Sequence, residues 1–194
     1  IEEWVARAAA QHSAIKDREA TTERVVDYLF DRFAAVYQDQ GLPVEVFAAV
    51  KANKVSSPLD FNARVQAVAA FIKTSESESL AAANKRVSNI LEKSEVTVNA
   101  SDFNSGLLVE DAEIALANAI EIKEAEVQPL FAQANYRDGL LKLTELKDNI
   151  DAFFDSVMVN AEDPTLKNNR LALLSRLRAL FLHVADISLL AQKR

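Results

Sequence analysis

Apolar residues return along most of this chain every three or four positions, the spacing that gathers them onto one face of an α-helix. Trp4, Val5, Ala8 and Ile15 share a side of a helix predicted over Ile1–Ile15. Val26, Leu29, Phe30, Phe33 and Tyr37 keep the period in the next helix, which Thr21 or Thr22 can cap and Gly41 can end. Pro43 suits the first turn of a short helix reaching about Ala52. Ser57-Pro58 then opens another, with Phe61, Val65, Val68 and Ile72 as its stripe. The polar run Thr74–Ser79 reads as a turn and an internal boundary.

The same period resumes at Leu80–Lys93, where Leu80, Ala83, Val87, Ile90 and Leu91 share a face with Asn84 at its edge. Lys85 and Asn89 point nearly opposite, with Arg86 further round. Ser94–Gly106 is polar and irregular. A long acidic helix is predicted over about Val109–Gln133 and a second over Asp138–Val159, joined near Asn135-Tyr136. In the second, Ile150, Phe153, Phe154 and Val157 have core spacing. Glu162-Asp163-Pro164 breaks it, Leu166–Leu182 forms the last long helix, and a short one covers about Val184–Leu190. The prediction is an all-α protein: an antiparallel helical bundle over 76–194, with a smaller helical segment, 1–75, packing on it.

Composition supports that class. Of 194 residues 49% are apolar and 26% charged, and so few breakers, three Gly and four Pro, with abundant Ala, Leu, Glu and Lys, argue for an all-helical protein. The length suffices to bury a full core. The lack of cysteine excludes disulfides and thiolate metal sites and suits a reducing, cytoplasmic setting. No apolar run nears the ~20 residues that span a bilayer. Ile1 opens directly into an amphipathic pattern, so no leader is expected there, and a start at Ile rather than Met is expected of a piece of a longer chain.

Charge adds an asymmetry. The net charge is −7, which argues against indiscriminate nucleic-acid binding, DNA included. From Pro164 to Arg194, however, six Lys and Arg stand against one acid, Asp186, a net of +5. The preceding 163 residues carry −12. A basic end on an acidic protein suggests a local anionic partner.

Reactive chemistry is not evident in the residues. Gly41, Gly106 and Gly139 are isolated, so no phosphate-cradling loop forms. His12 and His183 are too few and too distant for a metal cluster. His183 and Asp186 have the spacing of an imidazole–carboxylate pair, read as structural because no nucleophile or third ligand accompanies them. Glu110, Asp111, Glu113, Glu121, Glu124 and Glu126 read as a solvated helix face. Neither a catalytic residue nor a bound metal is expected.

Binding chemistry has more candidates. Lys85, Arg86 and Asn89 project from a helix whose other face is committed to packing. They either contact phosphates and base edges or form an ordinary wet face. Arg178 and Tyr136 join them as RNA-binding candidates, Tyr136 as a turn aromatic free to stack on a base, with Phe103 similar. Arg170 lies on or beside the apolar stripe Leu171, Leu174, Leu177 and Phe181, where an Arg requires a partner. Asp155, Glu162 or Asp163 can supply it, and Arg170–Asp163 is the expected structural pair. Lys167, Arg176 and Arg178 lie on more than one side of the helix. Lys193-Arg194 reads as solubilising charge.

Four segments carry a family resemblance: AAANKRVSNIL (Ala81–Leu91), FFDSVMVNAED (Phe153–Asp163), NNRLALLSRLRALFL (Asn168–Leu182) and VADISLL (Val184–Leu190). In this order they resemble the C-terminal region of the bacterial glycyl-tRNA synthetase beta subunit, a helical anticodon-binding domain of the type shared with arginyl-tRNA synthetase. The resemblance spans about Leu80–Leu190 and extends more weakly through Val25–Gly41 and Asp60–Phe71. It implies that the chain recognises the anticodon of glycine tRNA and docks with an alpha subunit, which uses ATP and Mg to attach glycine. It implies no cofactor in this piece. The equivalent arginyl domain is the near alternative. A helical scaffold with Thr74–Ala100 as a protein interface is the alternative of another class.

Overall fold

Nine α-helices and four short 3-10 turns, with no strand, form the described part of the chain. The computed structural model describes residues 1–94 and 96–191. The helices are α1 (Glu2–Ala10), α2 (Arg18–Asp39), α3 (Val44–Lys51), α4 (Pro58–Phe71), α5 (Ser77–Glu92), α6 (Asp111–Ala132), α7 (Tyr136–Leu143), α8 (Lys147–Ser156) and α9 (Pro164–Leu182). The all-α class expected from periodicity and composition is what is found. None of the helices is long and apolar enough to cross a membrane.

Local signals set most boundaries. Gly41, at φ +78°, ends α2 in the left-handed conformation that side chains resist. Ser57 caps α4, accepting the Asp60 N–H at 3.4 Å, and Pro58 fills the first turn, where its missing N–H costs nothing. The cap of α2 is Asp17 and neither threonine. The Asp17 carboxylate accepts the Ala20 N–H at 3.0 Å, whereas the Thr21 and Thr22 hydroxyls donate back to the carbonyls of Asp17 and Arg18 from inside the helix. Ile15 falls in the connection before that cap, and Trp4 on α1 is 80% exposed.

One predicted helix is two. The span expected as continuous from Asp138 to Val159 is α7 and α8, separated by a 3-10 turn at Thr144–Leu146. The Thr144 hydroxyl donates to the Leu141 carbonyl at 2.7 Å and tightens the backbone there. The apolar stripe survives the break, since Leu140, Leu143, Leu146, Ile150 and Phe153 are all fully buried.

The core runs without interruption from Phe30 on α2 to Ile187 in the last 3-10 turn. The Phe61 ring meets Phe30 and Phe47 at centroid distances of 5.0 and 5.4 Å. α4 packs along α7, α6 lies against α7 and α8, and α5 rests on α9 and the final turn. Hydrogen bonds tie the early helices to the end of α9 and the segment that follows it. Asp186 N–H donates to the Ala49 carbonyl at 2.9 Å, and the Asn53 amide donates to the Leu182 carbonyl at 2.5 Å.

Candidate nucleic-acid interface

α5 separates its buried and exposed residues by face. Leu80 and Val87 are buried, and Asn84, expected at the edge, is buried as well and donates to the Leu80 carbonyl at 3.0 Å. Lys85, Arg86 and Asn89 are exposed. The Arg86 guanidinium lies over the Phe154 ring of α8, 4.1 Å from its centroid. Such a contact holds the guanidinium plane while leaving its N–H donors for a partner. Among the described residues neither Lys85 nor Arg86 meets a carboxylate within 4.0 Å.

Three arginines of the basic C-terminal stretch are neutralised from within. Arg176 forms a two-pronged pair with Glu124, its Nε 2.8 Å from the carboxylate. Arg178 donates to Asp186 at 3.0 Å. Arg170 pairs with Glu113, approaches Glu110 at 3.9 Å and donates to the Met158 carbonyl at 2.7 Å. Lys167 is half-buried, and Lys193 and Arg194 lie outside the described residues. Among the described residues, three of these cations, Arg170, Arg176 and Arg178, therefore match acids at the start of α6, along it and at the final turn.

Several expected pairings fall elsewhere. Asp163 does not meet Arg170; its carboxylate caps α9, accepting the Thr165 N–H at 2.7 Å, so its reach is already used. The partner, Glu113, belonged to the acids read as a solvated face, yet it is 1% exposed. Its other oxygen accepts the N–H groups of Val109 and Glu110, each at 2.9 Å, closing the capping box of α6. Burial pushes its carboxyl up, but the Arg170 bond and the two backbone donors outweigh that, and its pKa lies below the ordinary carboxylate range. His183 does not bond Asp186 either. It stacks on Phe131 at 5.5 Å, while Asp186 takes Arg178 and caps Ser188.

Tyr136, expected to stand free at a turn, is 7% exposed. Its hydroxyl donates to Asp60 at 2.5 Å and accepts from Arg64 at 3.0 Å, and the Arg64 guanidinium lies 4.3 Å from its ring centroid. Burial and the bond to Asp60 raise its pKa. Arg64 also donates to the carbonyls of His183 and Val184, so one side chain joins α4, α7 and the end of α9. The spacing of Asp60 and Arg64 as an i, i+4 pair was readable in the sequence; the residues they reach were not. Phe103 is half-buried, with Arg176 over it at 5.5 Å. Among the described residues no three His, Cys, Asp or Glu side chains converge as metal ligands.

Residues 80–187 match the description "DALR anticodon binding domain". The glycine–tRNA ligase beta subunit of Shewanella woodyi is 49% identical over 186 residues, which are 96% of this chain and 27% of that protein. The Haemophilus influenzae (strain PittEE) beta subunit is 48% identical over 190 residues, 98% of this chain and 27% of its own length. The Pseudomonas aeruginosa (strain LESB58) beta subunit is 54% identical over 168 residues, 87% and 24% respectively. The chain thus spans about a quarter of the length of these relatives.

Proposed function

The chain belongs to the DALR anticodon binding domain family, and from that membership we propose that it is the tRNA-recognition module of a glycine–tRNA ligase beta subunit. The observation that carries the reading is the match over residues 80–187, with relatives of that name aligned over nearly the whole chain. In this reading the module grips the anticodon region of glycine tRNA and presents the acceptor end to an alpha subunit, which attaches glycine with ATP. Its contribution to catalysis is positioning. Lys85 and Arg86 hold phosphates, Asn89 can address a base edge, and the ordered Arg86–Phe154 contact supports α5 as the binding helix. Arg178, tied to Asp186, supports the turn on which that helix rests, and Tyr136, tied to Asp60 and Arg64, supports the junction of α4 and α7.

The test is a titration of the chain with glycine tRNA and with the same tRNA altered in its anticodon, at several salt concentrations. Recognition gives tighter binding to the natural anticodon and a slope against log salt set by the phosphates neutralised. Lys85→Ala with Arg86→Ala should lower affinity and flatten the slope without loss of helicity by circular dichroism. Equal affinity for both tRNAs overturns anticodon recognition; parental binding by the double variant overturns the α5 assignment.

A further inference from the structure

Between the end of α4 and the α6–α7 turn lies a cleft of about 540 Å³, within the size range of small-ligand sites. Half-buried Ala63 and Ala70 line it together with Gln66, Lys73, Asn135 and Arg137. Its charge sets it apart. No carboxylate lines it, whereas three other clefts of the molecule contain Glu19 and Glu23, Glu124, or Asp186. In a chain with 29 acidic and 22 basic side chains, such a cleft runs against the overall balance. Lys73 and Arg137 are both exposed, and neither has a carboxylate within 4.0 Å among the described residues. This differs from Arg170, Arg176 and Arg178, which are already matched. The nearby Asp138 is engaged by the Asn135 amide at 2.8 Å. One wall is held still, because Tyr136, which also lines the cleft, is fixed by Asp60 and Arg64.

The geometry points to a second RNA contact here, a slot for one unpaired nucleotide. Its phosphodiester lies between Lys73 and Arg137, and its base rests against the alanine surface beside the Gln66 amide, with the Asn135 Oδ1 as a further acceptor. Two cations satisfy a phosphate, small apolar side chains leave room for a flat ring, and amides can both donate to and accept from a base edge. An acidic peptide would use the cations and leave the amide and alanine features without a role. The inference rests on the anticodon-binding reading and adds to it a site away from Lys85 and Arg86.

Fluorescence anisotropy of the chain with the isolated anticodon stem–loop of glycine tRNA, from low to moderate salt, tests it. Lys73→Ala with Arg137→Ala should weaken binding and make the slope against log salt shallower by about 0.7, the value for one phosphate neutralised on single-stranded RNA. Gln66→Ala should weaken binding with the slope unchanged. Helicity should hold in each variant, since these side chains are exposed. If the Lys73/Arg137 variant keeps the parental slope while Lys85→Ala with Arg86→Ala loses affinity, the slot is wrong and the anticodon reading stands. If the parent does not bind the stem–loop, both fall. Competition by a polyglutamate peptide as strong as by RNA of equal charge overturns the nucleotide assignment.

Discussion

Arg170 and Glu113, 57 residues apart in the chain, form an ion pair with both side chains almost wholly buried. Glu113 serves two elements at once, because the oxygen not facing Arg170 caps α6 through the Val109 and Glu110 N–H groups. Two consequences follow for stability. Removing one partner of a buried pair leaves an uncompensated charge, at a cost of about 3–5 kcal/mol. The two partners differ in what remains to them. After Arg170→Met the Glu113 carboxylate keeps two backbone donors; after Glu113→Ala the Arg170 guanidinium keeps the Met158 carbonyl and Glu110, but the Val109 and Glu110 N–H groups lose their acceptor, a further cost of about 1 kcal/mol. Urea unfolding should therefore rank Glu113→Ala as the more damaging change. Arg170→Ala should lower the melting temperature more than it lowers RNA affinity. An unchanged melting curve for Arg170→Ala would show that the pair does not hold α6 to α9.

The same pair sets an acid limit. Glu113 titrates below its ordinary value in the fold, whereas in the unfolded chain it titrates near about 4.3. Between those values the unfolded state binds the extra proton, so stability falls as pH falls. The contribution is complete above about pH 4.3 and is lost as pH drops through the folded value. Thermal melts from neutral to acid pH should show the parent losing stability in that window more steeply than Glu113→Gln. Parallel profiles would rule out Glu113 as the titrating group.

Tyr136 and Arg64 divide a junction unequally. Tyr136→Phe removes a hydroxyl that bonds a carboxylate and a guanidinium, at about 1.5–3 kcal/mol for bonds to charged groups, while Asp60 and Arg64 retain each other at 2.8 Å. Arg64→Ala removes that partner, the contact on the Tyr136 ring and the donors to His183 and Val184. Denaturation midpoints should place Arg64→Ala below Tyr136→Phe. The reverse order would mean that the α4–α7–α9 junction does not depend on the guanidinium.

Gly139 tests packing against propensity. Alanine is favoured over glycine in a helix by about 1 kcal/mol. A Cβ at Gly139, though, would lie 2.2 Å from Phe131 Cε1, and that ring is stacked on His183 and packed beside Tyr136. Overpacking costs about 1–3 kcal/mol, so the net effect of Gly139→Ala should be destabilising. Chemical shifts of the His183 ring should move with it. A more stable variant with an unmoved His183 signal would show that Phe131 gives way freely.

Features governed by neighbours in sequence were the legible ones. Gly41 stopped α2, Ser57-Pro58 started α4, and the 3.6-residue period put Lys85, Arg86 and Asn89 on the wet side of α5. Each depends on groups within about four residues, where spacing fixes geometry. Even locally, Asp17 displaced Thr21 and Thr22 as cap, because an acceptor one turn earlier intercepts the first free N–H. The DALR match was legible through four ordered segments, a signal of pattern and not of physics.

The chain by itself determined its all-helical class, the buried stripes of α4 to α9 and the family to which its larger part belongs. Only the tertiary structure decided which charges are spoken for. Glu113 read as solvated and is buried, Arg178 and Tyr136 read as free and are engaged, and Lys73 and Arg137 drew no notice yet share an acid-free cleft. The reason is reach. Helix periodicity is written in steps of three and four residues, but Arg176 meets Glu124 across 52 positions and Arg64 meets Tyr136 across 72. No spacing rule spans such gaps until packing of the apolar stripes brings the helices together.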